Sequence, residues 1–319
     1  MKKSISAKVM ADLFNLWPKM TAEERQEKYK EALEKGEKPT PAPKNIVTRF
    51  EDNENGRIFY ANEKGVSRYT VFYIHGGAYE MDFIPLHWTF IEKLIKETNA
   101  LVIAPAYRLV PFGTYREAFD LIVPMYKKYC KEHPEKKIIM MGDSAGGGLS
   151  LALTEYFKTE GIRVPDELIL YSPWVDVSME NEEEYKEFIP RDPMITSKDI
   201  WPAAKGWAGD RDIHDPMISP LFGDLKGIRN VTVFIGTEEV LYPDVTKMFH
   251  MLDNDISNEL IVGEGMIHCY PLNPIEEAKS ACKGLFFLGV LLFFPKFAIV
   301  ENDERAKNLY LGNLKGNIV

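Results

Sequence analysis

"MMGDSAGGGLSLAL", residues 140–153, is the stretch on which the fold of this chain turns. The apolar "KKIIMM" leading into it is a short run of strand type, and "AGGGLSLALTEYFK" begins small and becomes amphipathic at helical spacing. Gly142-Asp143-Ser144-Ala145-Gly146 therefore reads as G-x-S-x-G between a strand and a helix. A turn that tight strains the backbone of its central residue and leaves room only for small neighbours, which the glycines supply. The Ser144 hydroxyl then stands at the C-terminal end of a strand, beside helix N–H groups that have no partner within the helix. The pentapeptide alone is a weak signal. The strand before it and the helix after it make Ser144 a candidate nucleophile.

Working outward, the same alternation recurs. "TVFYI", "ALVIAPA", "KIIMM", "ELILYS", "VTVFI" and "ELIVG" are strand-like runs, and most are separated by amphipathic segments such as "TYREAFDLIVPMYKKYCKEH". Strands alternating with helices predict an α/β chain with a mostly parallel sheet covered by helices on both faces. Before them, "NIVTRFE" and "GRIFYAN" flank the turn-forming "DNENG" and predict a hairpin. Residues 1–35 read as helical, with a capping box at Thr21 and Glu24, and "GEKPTPAP" at 36–43 reads as a linker. Residues 178–215 break the rhythm: acidic, then rich in Trp and Pro, with a helix expected in "TSKDIWPAAKGWA". They read as an insertion folded over the sheet. The domain reading is a core in two parts, 45–177 and 216–319, with 1–44 and 178–215 as a helical cap.

Composition narrows the function classes. The chain has 319 residues, 45% hydrophobic and 27% charged, with a formal net charge of −9. That is an ordinary globular balance with no basic stripe for a phosphate backbone, so nucleic acid is not an expected partner. Cys130, Cys269 and Cys282 are an odd number without C-x-x-C spacing, which argues against both a disulfide framework and a zinc site. No metal is expected. The start, "MKKSISAKVMADLF", lacks an apolar h-region and reads as a cytoplasmic N-terminus rather than a signal peptide. "GLFFLGVLLFFPKFAIV", residues 284–300, is interrupted at Pro295 and is too short for a membrane span. It reads as a buried terminal element, or as a surface that a second subunit of a homo-oligomer covers.

A nucleophilic serine needs a base, an acid to orient that base, and donors for an oxyanion. Of six histidines, His268 stands out, in a loop after the last strand-like run, "ELIVG". His133 reads as a solvated helix end, and His87, His214 and His250 as structural residues of helices or the insertion. "VTVFIGTEEVLYPD" offers Glu238, Glu239 and Asp244 as the acid; Glu239 is preferred and the other two remain open. "VFYIHGGAY" is a strand running into His75-Gly76-Gly77, where glycines let N–H groups turn toward one point. With the N–H of Ala145, Gly76 and Gly77 are the expected oxyanion donors.

Taken together, these segments resemble the hormone-sensitive-lipase-like group of α/β-hydrolases, which includes many bacterial esterases. "HGGAY" is similar to its H-G-G-G-[FY] oxyanion motif, with Ala78 at the third glycine, and "GDSAGGGL" to its G-D-S-A-G-G-N-L nucleophile motif, with Gly148 at the usual Asn. "AYRLVP", "YSPWVDVS" and "DPMISPL" resemble further family stretches. "GMIHCY" resembles the histidine segment, with Cys269 at a usual glycine. In "GTEEVL" the pattern G-x-x-D-x-L places the acid at Glu239, a Glu for the usual Asp. The likeness runs from about residue 69 to 280. It implies the α/β-hydrolase fold with a helical cap, and a Ser144–His268–Glu239 triad that hydrolyses small or short-acyl esters without a cofactor. Amide hydrolysis uses the same triad. Relatives that bind without turnover lose the histidine, which is present here. Phe14, Trp17, Trp201 and Trp207 are candidates to line an apolar pocket under the cap, although each taken singly is more often cap core.

Overall fold

The apolar runs form one eight-stranded sheet in the computed structural model, which describes residues 3–16, 19–180, 182–195, 200–279 and 281. In chain order the strands are β1 (Val47–Asn53), β2 (Gly56–Ala61), β3 (Tyr69–Ile74), β4 (Leu101–Tyr107), β5 (Lys137–Asp143), β6 (Glu167–Tyr171), β7 (Val231–Gly236) and β8 (Glu259–Gly263). They lie side by side as β1-β2-β4-β3-β5-β6-β7-β8. The β1–β2 and β2–β4 pairings are antiparallel, and every other pairing is parallel. The mostly parallel sheet expected from the alternation is therefore what forms. The hairpin forms too, with Asn53 opposite Gly56 across a two-residue turn.

Successive strand residues point to opposite faces, so a strand covered on both sides buries every residue. The central strands β3, β4 and β5 do so along almost their whole length. The covering helices are α3 (Pro85–Thr98), α4 (Tyr115–Glu132), α5 (Ser144–Thr159) and α8 (Tyr242–Met251). The start of α5 approaches the sheet closely: a Cβ on Gly146 would lie 2.2 Å from the carbonyl oxygen of Ile74. The small residues that mark the turn in the sequence thus also permit this packing.

Two helices precede the sheet, α1 (Ile5–Asn15) and α2 (Ala22–Lys35), and α2 opens with the capping box of Thr21 and Glu24. The insertion contributes α6 (Glu182–Tyr185) and α7 (Trp201–Ala208), and α2 packs against α7. All these elements belong to the unit Met1–Ala278. The apolar stretch 284–300, Cys282 and the end of the 216–319 core segment lie outside the described residues.

Because β3, β5, β6, β7 and β8 run the same way, the loops leaving them emerge at one edge. His75, Ser144, Ser172, Glu239 and His268 sit in or beside those loops. The carboxyl edge of such a sheet is where ligands bind in open α/β folds.

Candidate active site

Ser144 links β5 to α5 with φ +52°, in the left-handed region that non-glycine residues seldom occupy. Such a conformation costs on the order of 1–3 kcal/mol and persists where surrounding contacts hold it. Here the Ser144 carbonyl accepts from the Trp174 N–H at 2.9 Å. The preceding Asp143 is buried; its Oδ1 accepts from the Tyr73 hydroxyl at 2.6 Å, and its Oδ2 lies 3.3 Å from His87 Nε2. The Ile84 N–H donates to His87 Nδ1 at 3.2 Å, so Nε2 is the nitrogen that donates to Asp143. Burial pushes the Asp143 carboxyl up, but His87 and Tyr73 outweigh it and hold its pKa below the ordinary value. His87, expected to be structural, thus steadies the residue beside Ser144.

The glycine loop lies against this turn. A Cβ on Gly76 would fall 3.0 Å from that of Ser144. Gly77, Ala78 and Tyr79 follow with φ of +119°, +53° and +61°. The Tyr79 hydroxyl donates to the carbonyl of Ala145 at 3.0 Å, tying the loop to the first turn of α5. His75 is fully buried, its ring stacked 4.6 Å from that of Tyr107, whose hydroxyl donates to the His75 carbonyl. Burial lowers the His75 pKa to about 4, so near neutral pH the ring is uncharged. Its Nδ1 lies 2.7 Å from the Gly76 carbonyl oxygen, to which it donates.

The three candidate acids have different surroundings. Glu239 is fully buried, and its Oε2 lies 2.8 Å from His268 Nδ1. Its Oε1 accepts from the Ser172 hydroxyl at 2.8 Å and from the Gly236 N–H at 2.6 Å. Glu238 is partly exposed, 3.6 Å from Lys3 Nζ. Asp244 is buried in the first turn of α8. Its Oδ2 accepts from the Tyr185 hydroxyl of α6 at 2.7 Å. Burial opposes a charge on His268, while the Cys269 thiol and Glu239 favour it, and its pKa stands well above the ordinary imidazole value. Burial also pushes the Cys269 thiol up to about 11, so near neutral pH that thiol is uncharged and Glu239 supplies the stabilising charge.

Ser172 and Asp192 were not singled out in the sequence. Ser172, at φ +44° after β6, donates to Glu239 and accepts from the Cys269 N–H at 2.9 Å. One hydroxyl thus joins the loops that follow β7 and β8. Asp192, from the insertion, accepts from the Val240 N–H at 2.9 Å, one residue beyond Glu239. The available signals were slight: a lone polar residue at the end of an apolar strand, and an Asp before a proline. Ser144 reaches the same edge, and Asp143 pairs in register with Tyr171, the neighbour of Ser172. A direct hydrogen bond from Ser144 Oγ to His268 is not among the contacts of the described residues; such bonds often tighten only when substrate is bound.

Of the aromatic candidates, Phe14 and Trp201 are half-buried, and Lys205 Nζ lies 5.1 Å from the Trp201 ring centre. Trp17 lies outside the described residues. Trp207 is fully buried, stacked face to face on Tyr79 at 3.9 Å and edge-on to Tyr107 at 5.8 Å. It backs the glycine loop as core. Among the described residues, no group of three or more His, Cys, Asp or Glu could hold a metal ion, and no helix is long and apolar enough to cross a membrane.

Comparison with known proteins agrees with this architecture. Over 177 residues the chain is 33% identical to an esterase of Acinetobacter venetianus, a stretch covering 54% of this chain and 58% of the esterase. It is 29% identical to a triacylglycerol lipase of Mycobacterium tuberculosis over 178 residues, 56% of this chain and 36% of the lipase. It is 28% identical to an acetyl-hydrolase of Streptomyces hygroscopicus over 176 residues, 55% of this chain and 58% of that protein. The matched stretch therefore spans less than two thirds of each relative. Among solved structures, a hormone-sensitive lipase from a metagenome library superposes with a TM-score of 0.73 at 22% identity, covering 89% of this chain and 97% of that one. An esterase of the bacterial hormone-sensitive lipase family gives 0.71 at 23%, covering 90% and 97%. At those identities the likeness is one of fold. The family model described as alpha/beta hydrolase fold matches residues 71–272, more than half of the chain, and the protein belongs to that family.

Proposed function

We propose that this protein is a serine carboxylesterase acting on small or short-acyl esters, with Ser144 as nucleophile, His268 as base and Glu239 as the acid that orients it. The observation that carries this reading is the buried Glu239–His268 hydrogen bond of 2.8 Å, at the sheet edge where the strained Ser144 turn meets the glycine loop. The relatives named esterase, lipase and acetyl-hydrolase support ester bonds as the target.

In this mechanism Ser144 Oγ attacks the ester carbonyl while His268 Nε2 takes its proton. His268 then returns that proton to the departing alcohol. General base and acid action of this kind contributes about 10² to 10⁴ in rate. Glu239 keeps Nδ1 as the protonated nitrogen and stabilises the imidazolium. The N–H groups of Gly76, Gly77 and Ala145 receive the developing oxyanion, each worth about 3 to 4 kcal/mol. Water next enters by the same route and releases the acid. Every proton in the cycle moves between Ser144, His268, substrate and water.

Residues 1–44 and 178–215 act as the cap in this reading, supported by the packing of α2 against α7. A covered site suits small esters, with Phe14 and Trp201 as candidates for its apolar wall. The test is a panel of p-nitrophenyl esters and anilides with purified protein. Hydrolysis of short acyl esters well above that of anilides is expected. Preference for anilides would make it an amidase, and no turnover of either would remove the enzymatic reading.

A further inference from the structure

We propose that Arg25 of α2 and Thr40 of the linker are positioning residues for the glycine loop, so that the N-terminal segment bears on catalysis and not only on substrate access. This rests on the reading of Gly76 and Gly77 as oxyanion donors.

The loop needs an outside restraint. Gly77, Ala78 and Tyr79 all have positive φ, and two of them carry side chains. Runs of that kind persist only where surrounding contacts over-determine them. The N–H groups of Glu80 and Met81 close a tight turn on the Gly77 carbonyl at 3.0 and 2.9 Å. The two carboxylates just beyond, Glu80 and Asp82, are both held by the N-terminal segment. The Arg25 guanidinium pairs with Glu80 Oε2, and the Thr40 hydroxyl donates to Asp82 Oδ2. Thr40 is itself fastened, its carbonyl accepting from Arg57 Nη1 at 2.5 Å, and the other carboxylate oxygen of Asp82 lies 4.0 Å from His75 Nε2.

The Arg25–Glu80 pair is well covered, with 14% and 7% of the side chains exposed. Burial pushes the Glu80 carboxyl up to about 8, and a covered carboxyl, ionised or not, is costly to leave without its hydrogen-bond donor, so Glu80 depends on its contact with Arg25 to stay where it is. The reverse dependence also holds. No residue of α2 is fully buried, so the helix is not held by a deep apolar face of its own. Loosening α2 would free Glu80, and the turn carrying Gly77 would lose its outer anchor.

The experiment compares the wild-type chain with Arg25→Gln, Thr40→Val and the conservative Arg25→Lys and Thr40→Ser. Two readouts are taken: p-nitrophenyl acetate kinetics and amide hydrogen exchange over residues 76–82. Arg25→Gln and Thr40→Val are expected to lower kcat by about 10-fold or more, the scale on which small misplacements act, while KM moves by less than about 3-fold. Arg25→Lys and Thr40→Ser should restore most of the loss. Exchange over 76–82 should rise in the first two variants while residues 137–150 stay protected. Wild-type exchange over 76–82 in Arg25→Gln and Thr40→Val overturns the proposal whatever the activity. Faster exchange with kcat unchanged, or with only KM raised, overturns it as well. A wild-type chain without esterase activity fails the functional reading instead, and the exchange result still decides whether Arg25 and Thr40 hold the loop.

Discussion

Glu239 and His268 meet across 2.8 Å, with the carboxylate fully buried and its second oxygen occupied by Ser172 and Gly236. Glu238 is paired with Lys3, and Asp244 with Tyr185. Glu239→Gln should therefore lower kcat by up to about 10⁴, whereas Glu238→Gln and Asp244→Asn should cost far less. The pH profile adds a sign. In the proposed triad only neutral His268 could accept the serine proton, and Glu239 favours the charged imidazole. Without that charge the acid limb of kcat/KM should move to lower pH even as the plateau drops. A crippling Asp244→Asn beside a mild Glu239→Gln would assign the role of the acid to Asp244.

Ser172→Ala tests the bridge between the acid and histidine loops. It removes one donor to Glu239 and leaves the Cys269 N–H without the hydroxyl it donates to. An unpaired buried group costs about 1–3 kcal/mol, so denaturant midpoints should fall. Glu239 keeps Gly236, so activity should fall by about 10-fold and not to the level of the acid's own removal. Full kcat in Ser172→Ala would mean that His268 needs no help from that side.

The strands were legible because apolar runs of five or six residues bounded by polar helices have little else to become. "TVFYI", "KIIMM" and "VTVFI" became β3, β5 and β7 with bounds shifted by a residue or two. Ser144 was legible because a tight turn permits only small neighbours, and that requirement is local. Ser172 was not, since its role exists only once the ends of β6, β7 and β8 lie side by side. Asp192 and Tyr185 come from an insertion whose contacts no periodicity encodes. Trp207 looks like a pocket wall by composition alone; only its stacking on Tyr79 places it in the core.

Ser144 should be the one serine labelled by an organophosphonate, and Ser144→Ala should be inactive. Its φ of +52° adds a thermodynamic expectation. Ser144→Gly relieves the side-chain strain of the left-handed region and should raise stability by about 1 kcal/mol; if Ser144 is the nucleophile as proposed, it should also abolish turnover. The greater freedom of a glycine in the unfolded chain offsets part of that gain. Urea denaturation checks the sign: a less stable Ser144→Gly would mean that the turn is not under strain.

Asp244 gives the clearest pH dependence of stability. Burial, with Asp176 and Glu184 nearby, raises its pKa from 3.8 to about 7, against the opposing effects of the Tyr185 hydroxyl and Lys247. A carboxylate raised by folding destabilises the native state when ionised. The native state holds the proton longer than the unfolded chain, so stability falls as pH climbs from about 4 to about 7, and the full penalty applies above 7. A rise from 3.8 to about 7 corresponds to about 4 kcal/mol, an upper figure because the surroundings can relax around the charge. Asp244→Asn keeps an oxygen to accept from Tyr185 and removes the charge. It should therefore melt several degrees above wild type at pH 8, with the gap narrowing at pH 5, where native Asp244 is already protonated. Calorimetry at the two pH values decides it: an equal gap at both, or a wider one at pH 5, would show that the buried carboxyl carries no such charge penalty.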